Sequence, residues 1–422
     1  MYHARKWLVG VLVLMLGALA IAPAAAQDEF VFGMILVGPS TDQGWSQAHY
    51  EAGEYVIDKL AEDGVTARMI VFENLNPAVN PQTTLMDVVE SMVDEGATLI
   101  FTTSDEFEPD TLEAAAAFPE ITFVHASGSA VLDKGPADLF PDLFEAADRE
   151  PAPTNYGNVM GEMEFGKMLA GCAAALTTET GKIGYLGPLI NAETRRLVAS
   201  AYLGASHCYE TYAGGDPAAL EFEVIWIGFW IPTPDTLDPV QVTNTFFDTG
   251  ADVVISGIDP QDALIVAGQR REQGDNVFAV PYDFVGACDT APDACLGIPY
   301  FQWGPAYLDT VNAVLEGEFT SNWLWLGPDW SDINNPDTTA VGWVDGPALS
   351  EEAAANLASF IAEMTAFQTD PMHEGEFFLW QGPLNFQDGT VLAAEGESVD
   401  PLAVWYLPQL LEGITGDSFL SE

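Results

Sequence analysis

The chain has 422 residues, and its hydrophobic fraction of 48% is ample for packed cores and argues against a disordered protein. Its 64 acidic residues against 12 Lys and Arg give a formal net charge of −52, which excludes nucleic acid and an anionic membrane surface as partners. We interpret this charge as an adaptation to a salty exterior, with acid tolerance as the alternative, because protonation of carboxylates would also relieve their repulsion.

The first 26 residues have the composition of a secretory signal peptide. Basic residues (Arg5 and Lys6) precede an apolar stretch over residues 7–21, and three alanines end the segment, so we expect cleavage after Ala26. An uncleaved membrane anchor is the alternative, although the apolar stretch is short for a membrane span. No cysteine lies near the cleavage point, so a lipid anchor is not supported. We therefore expect a secreted protein, periplasmic or extracellular.

Apolar segments alternate with helix-like segments along most of the remaining chain. Near-continuous apolar strands of this kind predict parallel sheets covered on both faces, and hence an α/β fold. Two runs of four strand–helix units indicate two similar lobes. The predicted strands are 31–37, 67–72, 99–103, 122–126, 182–187, 223–227, 253–256 and 278–281. The predicted helices are 47–63, 81–95, 108–118, 162–177, 191–209, 240–250, 263–273 and 305–315.

We assign residues 28–154 to lobe 1, completed by about 285–325, and residues 155–284 to lobe 2, completed by about 340–422. Residues 131–154 are acidic and rich in Pro and Ala, which is typical of a surface insertion. Residues 323–339 are predicted to be irregular, and residues 377–389 to form a strand pair with a turn at Asp388-Gly389.

The four cysteines allow two disulfides, because an exported chain with an even count meets an oxidising compartment. Cys288 and Cys295 enclose a short loop and form the simpler pair, which would leave Cys172 and Cys208 to join two elements of one lobe. Reduced thiols are the alternative. Zinc is disfavoured because no CxxC spacing occurs.

Motifs for covalent chemistry and cofactors are missing from the sequence. There is no GxGxxG after a strand, no GxxxxGK[ST], no HExxH and no GxSxG. The four histidines after residue 26 are far apart, so no metal pair is indicated. We expect no cofactor, no metal and no enzymatic activity.

Aromatic side chains near predicted strand ends are the positive signal for a binding site. Trp45 follows the first strand, three residues after Asp42, and this pair suits a flat ligand with hydrogen-bond donors on its edge. Trp230 ends the segment WIGFW in the second lobe, and Trp303 lies in YFQWGPAY. Core packing is the alternative for each tryptophan. One aromatic face from each lobe could hold a flat ring by stacking.

These segments also carry a family resemblance. STDQGWSQAHYEAG, FVHASG, TGKIGYLGPLINAETRRLVASAYLGA, WIGFW, TGADVVISGID and FFLWQGPLNFQDG resemble, in order, segments of the basic membrane protein family. This is a family of ABC transporter substrate-binding proteins that includes purine nucleoside receptors. The resemblance covers nearly the whole chain after residue 26. It implies two Rossmann-like lobes joined by a hinge, as in type I periplasmic binding proteins.

The resemblance implies that Trp45 and Trp230 stack on the two faces of a purine. Asp42, with Ser104 or Asp105, would bond the edge of the base. Helix capping is the alternative for Asp42, and a turn role is the alternative for Ser104 and Asp105.

Asp283 lies where the family places a carboxylate for ribose hydroxyls or an amino group, with a solvated carboxylate as the alternative. The nucleoside receptors carry a lysine near the ribose, and FQWGPAY has none. The pattern is therefore closer to the branch associated with free purine bases.

The resemblance implies a receptor that captures a purine base or nucleoside in the cleft between the lobes and delivers it to an ABC permease. We expect a monomer. An exported nucleoside-processing hydrolase and a ligand-sensing signalling ectodomain on the same fold are the alternatives.

Overall fold

The computed structural model describes residues 29–146 and 149–419. The predicted signal peptide at residues 1–26 lies outside these residues. No helix within the described residues is long and apolar enough to cross a membrane.

The described chain has fifteen strands and eleven α-helices. The strands are β1 (Phe30–Leu36), β2 (Ala67–Phe72), β3 (Leu99–Thr103), β4 (Thr122–Ala126), β5 (Tyr156–Gly161), β6 (Lys182–Gly187), β7 (Glu221–Trp226), β8 (Val253–Ser256), β9 (Phe278–Val280), β10 (Gly297–Phe301), β11 (Trp323–Leu326), β12 (Val341–Asp345), β13 (Leu384–Asn385), β14 (Val391–Ala393) and β15 (Ile414–Thr415). The helices are α1 (Trp45–Glu62), α2 (Leu85–Asp94), α3 (Glu108–Ala117), α4 (Pro136–Leu139), α5 (Met163–Thr177), α6 (Ala192–Thr211), α7 (Pro239–Asp248), α8 (Asp262–Glu272), α9 (Gly304–Glu316), α10 (Glu351–Gln368) and α11 (Pro401–Trp405).

Two parallel sheets organise the molecule. The first has the strand order β11-β5-β4-β3-β1-β2 and the second has the order β15-β7-β6-β8-β9. Strands β1, β3 and β8 are buried throughout, because helices cover both faces of the sheets. The two antiparallel pairs are β10 with β12 and β13 with β14. The predicted α/β class is therefore confirmed.

Strands β5, β10, β11, β12 and β15 were not predicted. The prediction that residues 323–339 are irregular is wrong for residues 323–326, because Trp323–Leu326 pairs in parallel with β5 at the edge of the first sheet. Strand β5 belongs to the first sheet although it begins after residue 154. The residue bounds of the two lobes stay a prediction.

Both predicted disulfides are present in the structure. Cys172 and Cys208 join α5 to α6, the helix pair with the most extensive mutual contact. Cys288 and Cys295 close the loop that precedes β10. The disulfide prediction is confirmed, with the pairing that the short loop favoured.

Candidate ligand-binding site

The carboxyl ends of the two sheets face each other across a narrow slot. The space between its lining atoms is about 340 Å³, including the mouth that is open to solvent. The slot is lined by nine residues: Val37, Trp45, Ser104, Asp105, Ser127, Glu193, Trp230, Asp259 and Tyr282. Each follows a parallel strand, the position where open α/β sheets bind ligands. The slot therefore brings together four of the seven predicted site residues, which are Trp45, Ser104, Asp105 and Trp230.

Trp45 is held firmly in one orientation at the start of α1. Its indole Nε1 donates a hydrogen bond of 2.7 Å to the carbonyl oxygen of Thr103. Edge-on aromatic contacts hold it from behind, with ring centroids 4.5 Å away at His49 and 5.4 Å away at Trp303. Because its N–H is already bonded, Trp45 offers the slot its aromatic surface.

Trp303 does not line the slot. Its side chain is 2% exposed and stacks on His49, with the ring centroids 4.4 Å apart. Burial lowers the pKa of His49 well below its usual value, so this ring is neutral. The Tyr307 hydroxyl lies 2.6 Å from His49 Nδ1. Trp303 thus belongs to the packed layer that supports Trp45, which is the core-packing role given as the alternative.

Trp230 comes to the slot from the second lobe, after β7. Its side chain is 8% exposed, and its Nε1 has no hydrogen-bond partner among the described residues. Its carbonyl oxygen accepts a hydrogen bond of 3.2 Å from the backbone N–H of Asp259. The side chains of Trp45 and Trp230 therefore line one slot from opposite lobes.

Ser104 and Asp105 form the polar end of the first lobe, directly after β3. His125 Nε2 donates to the carbonyl oxygen of Ser104 at 2.7 Å, which fixes the strand end. Asn191 Nδ2 donates to Asp105 Oδ2 at 3.0 Å and thereby links the two lobes. Burial raises the pKa of Asp105, and His125 partly opposes this shift.

Glu193 comes from the first turn of α6, where the helix dipole favours a carboxylate. It is 7% exposed, and burial raises its pKa to about 7 although Arg196 opposes the shift. Arg196 lies 3.8 Å from Glu193 but makes its close ion pair, at 2.6 Å, with Glu164. The slot therefore has an acidic wall on the side of the second lobe.

Asp42 does not line the slot. Its carboxylate accepts hydrogen bonds from the backbone N–H groups of Gly44, Ser46 and Gln47, at 2.8 to 3.0 Å. These bonds satisfy backbone N–H donors at the start of α1, which is the helix-capping role given as the alternative for Asp42. Asp42 thus shapes the loop that carries Trp45.

Asp283 is fully buried behind the slot rather than in its lining. Neither carboxylate oxygen has a hydrogen-bond partner among the described residues. Burial and the carboxylate of Asp259 raise the pKa of Asp283, and Lys167 opposes them. A solvated surface carboxylate, which was the alternative, does not fit this position.

The two lobes touch each other at the mouth of the slot. Gln43, in the loop before α1, has a carbonyl oxygen that accepts from Gln261 Nε2 at 2.8 Å, and its side-chain oxygen accepts from Thr290 Oγ1 at 2.7 Å. The predicted bounds assign Thr290 to lobe 1, but its neighbour Ala287 packs in a core of the second sheet. A Cβ atom on Gly44 would lie 2.1 Å from the carbonyl oxygen of Asp259. The arrangement is therefore closed, with loops of both lobes in direct contact.

Five lining residues were not predicted as site residues: Val37, Ser127, Glu193, Asp259 and Tyr282. Ser127 directly follows β4 and Asp259 lies three residues after β8, so a search for polar residues after every predicted strand would have found both. Glu193 lies inside α6, six residues after β6, where no such search would reach.

Comparisons with known proteins agree with this architecture. Residues 30–213 match the family of PnrA-like ABC transporter substrate-binding proteins. A purine-binding protein of Brucella abortus is 25% identical over 383 residues, which cover 89% of this chain and 90% of that protein. A putative ABC transporter glucose-binding protein of Haloferax volcanii is 23% identical over 376 residues, with 89% and 78% of the two chains covered.

Among solved structures, an ABC transporter solute-binding protein from Aeropyrum pernix superposes with a TM-score of 0.57 at 14% identity. The match covers 85% of this chain and 93% of that one. This likeness confirms the predicted fold, two lobes of the type found in periplasmic solute-binding proteins.

Proposed function

We propose that this chain, which matches the family of PnrA-like ABC transporter substrate-binding proteins over residues 30–213, captures a purine base or nucleoside in the slot and delivers it to a membrane permease. The family consists of receptors for transport, not enzymes, which sets aside the exported hydrolase.

One observation carries the proposal: the indoles of Trp45 and Trp230 reach the same narrow slot from opposite lobes. A planar heterocycle between them would gain stacking energy on both faces, and loss of one such face costs about 1–3 kcal/mol where bases stack on proteins. The carboxylates of Asp105, Glu193 and Asp259 would then surround the edge of the ring. The purine-binding relative in Brucella abortus supports this choice of ligand.

A ligand that contacts both lobes favours the closed form, because only that form makes both sets of contacts. The contacts of Gln43 with Gln261 and Thr290 would form in the same movement. The closed surface is then what the permease recognises. A free base, which is smaller than its nucleoside, suits the narrow slot.

A monosaccharide is the second candidate, because the chain is also similar to a protein named as glucose-binding. Indole faces and carboxylates suit a sugar ring as well, through its C–H face and its hydroxyl groups. The flatness of the ligand distinguishes the two candidates.

The test is a thermal unfolding and tryptophan-fluorescence titration with adenine, guanine, hypoxanthine, their nucleosides and D-glucose. A ligand at 100 times its Kd stabilises the folded state by about 2.7 kcal/mol, so binding raises the melting temperature measurably. A gain with glucose alone would favour the second candidate. No gain with any purine at large excess would refute the proposal.

A further inference from the structure

Asp259 lies in the slot without a partner for its carboxylate. It follows β8 and is 4% exposed. Its backbone is engaged, since its N–H donates to Trp230 and its carbonyl oxygen accepts from Gln261 Nε2 at 3.5 Å. No described residue donates a hydrogen bond to its side chain. Buried carboxylates are normally paired or hydrogen-bonded, so an exception requires an explanation.

The charged groups that act on Asp259 are all carboxylates. Asp42, Glu193 and Glu106 raise its pKa together with burial. Asp283, which is also buried, adds a fourth negative group. The protein thus supplies Asp259 with repulsion and with no compensating cation.

The two buried cations of this region are used elsewhere. Arg196 pairs with Glu164 at 2.6 Å, and its guanidinium lies 4.1 Å from the centre of the Trp405 ring. Lys167 donates to the carbonyl oxygen of Ser256 at 2.7 Å and lies 3.3 Å from the centre of the Tyr282 ring. Neither cation donates to Asp259, so the missing donor has to come from outside the chain.

We infer that Asp259 is a specificity-determining residue that accepts a hydrogen bond from an amino group of the ligand. This inference rests on the proposed function, and within it the ligand is an amino-substituted rather than an oxo-substituted purine. An amino group offers N–H donors to Asp259 and to the neighbouring Glu193. A carbonyl oxygen in the same place brings no donor, so the ionised form of Asp259 would gain no partner from it.

Adenine and hypoxanthine form the matched pair of ligands, because they carry an amino group and a carbonyl oxygen at the same ring position. Isothermal titration calorimetry of the wild type should show that adenine binds at least about 10-fold more tightly than hypoxanthine, because a hydrogen bond to a charged group contributes an effect of this size. Asp259→Asn replaces a carboxylate with an amide of equal shape that can donate to a carbonyl. It should weaken adenine binding about 10-fold or more and bring the two ligands close to equal affinity.

Asp58→Asn is the matched control, since Asp58 is exposed on α1 and lies outside the slot. It should keep the wild-type preference. The unliganded Asp259→Asn protein should melt no lower than the wild type, because the substitution removes a charge without a partner. Should that variant fail to fold, Glu193→Gln tests the same acidic wall and should also reduce the preference.

The results separate the inference from the proposed function. Equal affinity for the two bases, tighter binding of hypoxanthine, or an unchanged preference in Asp259→Asn would overturn the inference and leave purine binding in place. Failure of both bases to bind would overturn both.

Discussion

Substitution of Gly44 by alanine should prevent the two lobes from closing. The added Cβ would lie 2.1 Å from the carbonyl oxygen of Asp259, more than 1 Å inside the ordinary contact distance of 3.4 Å. Backbone faces backbone here, so no side chain can turn aside to relieve the overlap. Overpacking of this kind costs about 1–3 kcal/mol. The cost falls on the closed form alone, because Gly44 and Asp259 belong to different lobes.

The expected result is a ligand affinity about 5- to 150-fold weaker, since apparent affinity falls with the population of the competent state. Tryptophan fluorescence and titration calorimetry measure this change. Small-angle scattering should show that the ligand no longer makes the variant more compact. Thr41→Ala is the control, because Thr41 is exposed on the same loop. Wild-type affinity in Gly44→Ala would refute the idea that this contact belongs to the binding-competent form.

Trp230→Ala should weaken ligand binding by about 1–3 kcal/mol, because one stacking face is lost. Trp226→Ala is the control and should not change the affinity, since its indole bonds to Asp417 and does not line the slot. Equal effects of the two substitutions would argue against the slot as the binding site. The unfolding midpoint should rise between low and molar NaCl, because salt screens the surface charge, and no gain would refute the adaptation to a salty exterior. Burial raises the pKa of Glu193 from 4.5 to about 7, so the folded state holds this proton more tightly and its stabilising effect is lost as pH rises from about 4.5 to about 7. Glu193→Gln should remove this part of the pH dependence of unfolding, measured by denaturant titration, and an unchanged slope would contradict the assignment.

Strands buried in the middle of a sheet could be predicted from the sequence almost to the residue. Leu99–Thr103, Lys182–Gly187 and Val253–Ser256 have the predicted bounds, because each is a compact, mostly apolar run between clear helices. Tyr156–Gly161 was missed, since YGNVMG carries two glycines and an asparagine and shows no apolar period. Its burial comes from neighbours that are distant in the sequence.

The site residues show the same difference: those marked by a local sequence pattern could be predicted, and those that depend on distant contacts could not. Trp45 and Trp230 could be nominated because aromatic residues near strand ends are visible in a single segment. The separate roles of Asp42 and Asp259 could not be distinguished, because both are aspartates near a strand end. Only the fold shows that backbone N–H groups satisfy Asp42 and that the carboxylate of Asp259 has no partner within the described chain. In a chain with 64 acidic residues, composition hides the few carboxylates that matter for binding.

These two populations of carboxylates should respond differently to salt. Most acidic side chains lie on the surface, where counterions shorten the range of their repulsion to about 8 Å at physiological ionic strength. Asp259 and Asp283 are buried, so ions in solution screen them poorly. Burial and neighbouring carboxylates raise the pKa of both groups, so ionising them in the empty closed form is costly at any salt concentration, and a ligand that donates hydrogen bonds relieves part of this cost. Salt should therefore stabilise the fold as a whole and leave the advantage of an amino-bearing ligand largely unchanged.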